Sequence, residues 1–191
     1  MSFHLVAHVV YCDRKAAKSV PENKTITKTQ RILSIYHLFT NCEEVTMQEL
    51  DSVLTASHKT ISRDIALLKS AGVKICYSSQ RKAFILPDCE RGIPDFPEGK
   101  SNTRFLEKII RLITMMDEVP EKDCDIWYVE TFPWISRRTM LRDFAVLSSI
   151  GYNIYYDYDF DMDYEGDTPP KRYLFSEPEG TYSLYTFKYL D

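Results

Sequence analysis

Two stretches of this chain, 79 residues apart, carry nearly the same sequence. Residues 57–77 are SHKTISRDIALLKSAGVKICY and residues 136–156 are SRRTMLRDFAVLSSIGYNIYY, and ten of the 21 positions are identical without a gap. Repetition at a fixed spacing is the sequence signature of a structural unit that occurs more than once. The sequence therefore predicts two copies of one unit, and any fold assigned to the chain has to accommodate both.

Each copy begins with a helix that ends at a glycine. Ser57 is a good N-terminal cap, because its hydroxyl can accept from the unpaired backbone N–H groups of the first turn. Ile61, Ile65 and Leu68 follow at the i, i+4, i+7 spacing of one buried stripe. Gly72 then stands where a helix ends in a left-handed residue. The same places in the second copy are taken by Ser136, Met140, Phe144, Leu147 and Gly151.

A β-hairpin is predicted after each glycine, because the hydrophobic period changes there from 3.6 residues to 2. In the first copy the strands are expected at 73–77 and 83–86, with a polar turn at 78–82. In the second copy a strand at 152–158 is followed by a longer loop, 159–171, before the chain returns at 172–175.

Two further helices are predicted before each capped helix. Residues 30–39 and 103–116 each place apolar side chains on one face. Thr46 and Glu49 form a capping box that opens a short helix at 47–54. The corresponding segment of the second copy, 123–128, is a weaker match, because prolines bracket it. The order helix, helix, helix, hairpin predicts an α+β fold with two tandem domains.

A division of the chain follows from this order. We expect an N-terminal extension at 1–24, a first domain at 25–87, a linker rich in Pro, Gly and charge at 88–100, and a second domain at 101–191. The second domain includes the long acidic loop and an aromatic C-terminal segment, GTYSLYTFKYL. That segment is either a strand that completes the domain or an aromatic dimerisation surface, and we favour the strand.

The charge of the chain is unevenly distributed. The net charge is −4, but residues 1–95 hold 13 Lys/Arg against 10 Asp/Glu, whereas residues 96–191 hold 11 against 18. A nucleic-acid-binding surface on this chain would have to be local, because there is no global positive field.

The sequence gives no sign of a membrane span or of secretion. The longest apolar stretch, about ten residues near 3–11, is too short to cross a bilayer. It also lacks the basic start and small-residue cleavage site of a secretory signal. The five cysteines form no C-x-x-C pair, so free thiols in a reducing compartment and a cytoplasmic location are expected.

The repeat resembles a known group of DNA-binding domains. SHKTISRDIALLKSAGVKI is similar to the helix-turn-helix of DeoR-type regulators and of the N-terminal domains of WYL-containing regulators, whose pattern is roughly S-x-x-T-x-x-R-D-x-x-x-L-x-x-x-G. Both copies match that pattern, and CYSSQRKAFIL resembles the wing of the same group. The resemblance implies two tandem winged helix-turn-helix domains, with the third helix of each in the major groove. A WYL or other effector domain is not part of the match.

The resemblance also indicates which residues would contact double-stranded DNA. Cationic side chains at the start of the third helix and at the wing tip can neutralise phosphates or donate to guanine, and short polar groups can bond phosphate or base. The candidate DNA-binding residues of the first copy are Ser57, His58, Lys59, Thr60, Ser62, Arg63, Gln80, Arg81 and Lys82, and those of the second copy are Arg137, Arg138 and Arg142. The alternative is that these residues form the solvated face of an amphipathic helix.

Each arginine of the repeated Arg-Asp dipeptide is followed by a carboxylate that points about 100° away from it on the helix, so the two do not pair with each other. In the resembled family the aspartate is expected to be structural, holding an arginine or a backbone amide. We therefore predict structural roles for Asp64 and Asp143. Arg63 and Arg142 could each serve as a phosphate contact or as an internal partner.

The second copy is ambiguous as a DNA-binding unit. Its helix start is more basic, but Leu141 replaces Ser62, and its expected wing is the acidic run DYDFDMDYEGD at 157–167. Six carboxylates beside a phosphate backbone would be repelled, so this wing is not expected to lie against DNA. Either it folds away from DNA or this copy binds a protein partner.

No enzyme or cofactor chemistry is indicated. The run D-x-D-x-D at 159–163 lacks the glycine and terminal glutamate of an EF-hand calcium loop. His4 and His8 are spaced to bind zinc from one helix face, but no further ligand cluster accompanies them. Gly-rich phosphate loops, nucleophile elbows and H-E-x-x-H motifs are absent from the sequence. We therefore expect no catalytic residues, no metal site and no cofactor.

These observations favour a sequence-specific DNA-binding transcription regulator of the cytoplasm. The first copy would dock on duplex DNA, and the second would bind a further half-site or mediate self-association as a homodimer. The principal alternative is a winged-helix scaffold that binds protein and not DNA. A weaker third hypothesis is a small-molecule or metal sensor built on the aromatic second half.

Overall fold

The computed structural model describes residues 26–87, Gly92, 100–156 and 173–176. The first unit, residues 26–87, comprises α1 (Lys28–Asn41), β1 (Val45–Thr46), α2 (Met47–Val53), α3 (His58–Ser70), β2 (Cys76–Ser78) and β3 (Ala83–Ile85). The second unit, residues 100–156 and 173–176, comprises α4 (Lys100–Glu118), α5 (Cys124–Thr131), α6 (Arg137–Ser148), β4 (Asn153–Tyr156) and β5 (Tyr173–Ser176). The described chain is thus mixed α+β, with six helices and two small antiparallel sheets.

Side-chain caps explain where most of these helices begin. Thr27 with Gln30, and Thr46 with Glu49, form complete capping boxes at the starts of α1 and α2. Ser57 accepts a hydrogen bond from the third backbone amide of α3, and Ser136 does the same for α6. The predicted caps at 46, 57 and 136 are confirmed. α5 differs: the residue at its N-cap position, Asp123, has a left-handed backbone and makes no side-chain cap hydrogen bond.

The two repeat glycines end α3 and α6 as predicted. Gly72 has φ 91° and Gly151 has φ 102°, a backbone conformation that side chains with a Cβ rarely adopt. The chain after each glycine turns back on its helix: the Val73 amide donates to the Leu68 carbonyl at 3.1 Å, and the Tyr152 amide donates to the Leu147 carbonyl at 3.2 Å.

Each unit contains the predicted hairpin, and in the first unit both strands are shorter than the sequence indicated. β2 pairs with β3, and β4 pairs with β5, both antiparallel. In each unit, the segment before the second helix pairs with the hairpin. In the first unit this is β1, which gives the strand order β1-β3-β2. In the second unit Lys122 bridges to Leu174, and the Phe175 amide donates to the Glu121 carbonyl at 2.7 Å.

The apolar stripes of the repeated helices are buried as predicted. Ile61 and Leu68 of α3, and Leu147 of α6, are fully buried, and the remaining stripe residues are at most 4% exposed. Burial of such a stripe, at about 25 cal/mol per Å² of apolar surface, is the main source of stability for short helices like these.

The two units pack against each other through α1 and α4. The Tyr36 hydroxyl donates to Asp117 Oδ1 at 2.6 Å, and the Lys28 ammonium lies 4.5 Å from the centre of the Phe105 ring. Gln30 Nε2 also donates to the Ser149 hydroxyl at 3.0 Å. The buried side chains of both units belong to one hydrophobic cluster. The domain limits predicted from the sequence stay a prediction.

Several sequence-based expectations concern residues outside the described part of the chain. These are the two N-terminal histidines, the acidic run at 157–167 and the aromatic segment after residue 179. Within the described part, Cys42, Cys76 and Cys124 are free thiols. Among the described helices, none is long and apolar enough to cross a membrane.

Candidate nucleic-acid interface

The first half of α3 exposes positively charged and short polar side chains. Lys59, Ser62 and Arg63 are exposed, while Ile61 and Ile65 on the opposite face are buried. This separation follows from the helical period, which alternates the two faces every three to four residues. The exposed face of α3 is therefore available to a ligand along its N-terminal half.

Asp64 contributes no charge to that face, because it is buried in an ion pair. Its carboxylate is 2% exposed and accepts from Arg31 Nε of α1 at 2.5 Å, while the Arg31 side chain is 16% exposed. The prediction that Asp64 is structural and holds an arginine is confirmed. Arg63 is exposed, and the partner of Asp64 is Arg31 instead.

The second unit contains the same buried pair with an added tyrosine. Arg111 Nε of α4 donates to Asp143 Oδ2 at 2.9 Å, and the Tyr128 hydroxyl of α5 donates to the same oxygen at 2.7 Å. Arg111 Nε also lies 3.1 Å from the Tyr128 hydroxyl. Asp143 is 1% exposed, so its predicted structural role is confirmed as well.

The network shifts the pKa values of both partners of Asp143. Burial lowers the pKa of Arg111, but the hydrogen bond and negative charge of Asp143 outweigh that effect, so the net shift is upward. Burial, followed by the hydrogen bond to Asp143, raises the pKa of Tyr128 well above its ordinary value. The guanidinium stays charged and the phenol stays protonated, which is what the three hydrogen bonds require.

Two of the candidate DNA-binding residues are used to start α3. The Ser57 hydroxyl accepts from the Thr60 amide at 3.3 Å, and the two hydroxyls lie 3.0 Å apart. The equivalent pair of the second unit, Ser136 and Thr139, has the same distances. The S-x-x-T part of the repeat thus has a capping function in both units, and a DNA contact by Ser57 or Thr60 stays a prediction.

Acidic side chains accompany two of the candidate DNA-binding residues. His58 Nε2 pairs with Asp51 of α2, and Arg81 Nη1 lies 3.5 Å from Glu44 Oε2. The Arg81–Glu44 pair is well exposed, and exposed ion pairs contribute only about 0–1 kcal/mol. A phosphate could therefore replace Glu44 at small cost.

The turn between β2 and β3, residues 79–82, holds the other candidate residues of the first unit. Gln80, Arg81 and Lys82 are all exposed, and Lys82 has a left-handed backbone with φ 53°. The Arg81 amide donates to the Ser78 hydroxyl at 3.3 Å, and Ala83 directly after the turn is fully buried. Two cations are thus carried at the tip of a hairpin whose base is fixed in the core.

The second unit presents a different surface. Arg137, Arg138 and Arg142 of α6 are exposed, as a DNA contact would require. Leu141 among them is 40% exposed, and Trp134 in the turn before α6 is 75% exposed. The arginines of α6 therefore stand beside exposed apolar groups, unlike the cations of α3.

A cavity of about 550 Å³ lies at the C-terminal end of α1, where the two units meet. Its lining includes Tyr36, Cys42, Lys74 and Asp117. Burial, and secondarily Glu49, raises the pKa of Cys42, so this thiol stays protonated at neutral pH.

Among the described residues there is no group of three His, Cys, Asp or Glu side chains that could hold a metal ion.

Arg31, Arg111 and Tyr128, the partners of the two buried aspartates, were not identified from the sequence. A signal for the two arginines exists: Arg31-Ile-Leu and Arg111-Leu-Ile stand 80 residues apart, almost the spacing of the main repeat. Extending the repeat comparison upstream would have paired them.

Comparison of the chain with protein-family models, with curated proteins and with solved structures finds no match.

Proposed function

We propose that this chain is a sequence-specific, double-stranded DNA-binding transcription regulator built from two tandem winged helix-turn-helix units. α3 is the recognition helix, and the turn at 79–82 is the tip of the first wing. The observation that supports this most is the charge of α3: its exposed side chains include three cations, and its single carboxylate is buried against Arg31.

The shape and charge of α3 suit the major groove of B-DNA. An α-helix with its side chains is about 10–12 Å across, and the major groove is about 12 Å wide. Lys59 and Arg63 are one turn apart on the exposed face, with Ser62 beside them. Arg63 can donate two hydrogen bonds to a guanine edge, while Lys59 can neutralise a phosphate.

The hairpin turn supplies contacts outside the groove. Arg81 and Lys82 can touch the phosphate backbone beside the site bound by α3. Arg81 would exchange Glu44 for a backbone phosphate, which carries the same single negative charge and can accept two parallel hydrogen bonds from the guanidinium. Gln80 at the same tip can bond phosphate or a minor-groove base edge.

A local cationic surface is compatible with an acidic chain. The net charge of −4 gives no long-range attraction to DNA, so the expected association is slower than for basic DNA-binding proteins. Charges further than a Debye length from the DNA, about 8 Å at physiological salt, are largely screened. The electrostatic attraction at the interface therefore depends on Lys59, Arg63 and the hairpin turn.

The test is selection of duplexes by the purified full chain from a random pool, followed by fluorescence anisotropy with the enriched sequence. The double variant Lys59→Ala/Arg63→Ala is expected to lose at least about tenfold in affinity, since each base or phosphate contact contributes roughly 1–3 kcal/mol. The matched control Arg104→Ala/Lys108→Ala removes the same two charges from α4 and is expected to bind like the wild type. Failure to enrich any sequence, or equal loss in both double variants, would contradict the proposal.

A scaffold that binds protein and not DNA is the second candidate. The exposed Trp134 and Leu141 beside the arginines of α6 favour it, because apolar groups of this size at a surface are typical of protein contacts. If the wild-type chain binds no duplex DNA but binds a protein partner, the scaffold is supported.

A further inference from the structure

Four large apolar side chains are exposed close together in the sequence of the second unit. They lie on α5, in the turn after it and on α6, and we call them the α5–α6 face: Ile126 (48% exposed), Val129 (52%), Trp134 (75%) and Leu141 (40%). From these fractions the four side chains together expose on the order of 400 Å² of apolar surface, and large exposed apolar side chains concentrated in one part of a chain are typical of interaction sites.

The first unit is polar at the positions equivalent to Ile126, Val129 and Leu141. The hydrogen bonds that end the second helix, from Leu54 to Leu50 and from Phe132 to Tyr128, align α2 with α5 at a shift of 78 residues. Gln48 then corresponds to Ile126 and Asp51 to Val129. In the third helix, at the repeat shift of 79, Ser62 corresponds to Leu141. The same fold therefore tolerates polar residues at these positions, so the apolar ones in the second unit are not required for folding.

We propose that the α5–α6 face binds the same face of a second copy of this chain, so that the protein is a two-fold dimer. The charges beside the face favour a copy as the occupant. Glu130 is exposed on α5 next to Ile126 and Val129, and two exposed arginines, Arg137 and Arg138, precede Leu141 by one turn on α6. A two-fold axis that places α5 of one copy against α6 of the other brings Glu130 to the partner's arginines at both ends.

The size of the face is sufficient for a dimer. Interfaces are about 57% apolar by area, so one that contains about 400 Å² of apolar surface per copy buries about 700 Å² per copy. The total of about 1,400 Å² lies within the standard range of about 1,200–2,000 Å² for specific complexes.

In the dimer the second unit mediates self-association, a role that the proposed function left open. The biological meaning of the dimer rests on the proposed DNA-binding function. A two-fold dimer presents two copies of α3 to two half-sites, which then form an inverted repeat. The arginines of α6 serve self-association in this arrangement and not a further half-site.

Sedimentation velocity of the full chain, at concentrations from about 1 to 200 μM, tests the dimer directly. We expect a monomer–dimer equilibrium in the wild type. The variant Ile126→Gln/Val129→Asp, which transplants the residues of the first unit, is expected to raise the dissociation constant at least about tenfold. Tyr155→Ser is the matched control: it removes an apolar side chain that is 46% exposed on β4 of the same unit, and it should leave the equilibrium unchanged.

Two further measurements keep folding and DNA binding apart from self-association. Circular dichroism checks that both variants are folded. Iodide quenching of tryptophan fluorescence is expected to fall on dimerisation, and the loss of this effect in Trp134→Phe identifies Trp134 as the shielded residue. A monomeric wild type over the whole range, or equal weakening by Tyr155→Ser, would overturn the dimer. A dimer that binds no duplex DNA would leave this inference standing and contradict the proposed function.

Discussion

Replacing Asp143 by alanine tests the energetic account of the repeat most sharply. Asp143 is 1% exposed and accepts from Arg111 and Tyr128 on a single carboxylate oxygen, at 2.9 and 2.7 Å. The change leaves the Arg111 guanidinium, 8% exposed, without its counter-charge. Removing one partner of a buried ion pair costs about 3–5 kcal/mol, because the remaining charge stays desolvated.

The loss is large on the scale of a small protein. A free energy of unfolding of about 5–15 kcal/mol would fall by about a fifth or more. The triple variant Arg111→Met/Asp143→Leu/Tyr128→Phe removes every polar group of the network and keeps similar volumes. It should recover most of the stability, because no buried charge is left unpaired.

Urea unfolding, followed by circular dichroism and by tryptophan fluorescence, measures both variants. Asp64→Ala is the matched comparison, and its cost should be smaller, about 1–3 kcal/mol, because Arg31 is 16% exposed and can reach water. The reasoning is refuted if Asp143→Ala stays within about 1 kcal/mol of the wild type, or if the triple variant is as unstable as the single one.

Three smaller predictions concern local structure. Gly151→Ala should lower the unfolding free energy by about 1–2 kcal/mol, because φ is 102° at this position, and calorimetry measures it. Ser136→Ala should cost about 1 kcal/mol through loss of the α6 cap, measured by urea unfolding, with Ser148→Ala as the control. Burial raises the pKa of Cys124 from 9.0 to about 12, so stability falls as pH rises from 9 towards 12. Cys124→Ala should flatten that dependence, and an unchanged slope would contradict the burial of the thiol.

The sequence allowed the repeated helices to be placed because their ends are determined locally. Ser57 and Ser136 cap the first turn, and Gly72 and Gly151 take the left-handed backbone that ends each helix. These signals depend on neighbouring residues and need no knowledge of the fold.

Other features depend on contacts between distant segments and could not be predicted. β1 is two residues long, and only its pairing with β3 makes it a strand. The packing of α1 against α4 likewise depends on which apolar faces meet. For Asp64 the sequence indicated a structural role, but its partner Arg31, 33 residues away, required the fold.

The exposed apolar side chains of the second unit were also missed, because a sequence pattern does not distinguish a buried from an exposed position on a short helix. α5 has no clear apolar stripe: Tyr128 is 1% exposed and its neighbour Val129 is 52% exposed. Comparison with the polar residues of α2 would have indicated the difference.

The central claim is that α3 and the hairpin turn bind duplex DNA, and its most direct test is the salt dependence of that binding. With three phosphate-neutralising cations, Lys59, Arg81 and Lys82, the logarithm of the affinity should fall against the logarithm of salt concentration with a slope of about −2.7. Lys59→Ala and Arg81→Ala should each weaken binding to all duplexes alike and reduce the slope by about one. Absence of binding at low salt, or a slope that neither substitution changes, would contradict the claim.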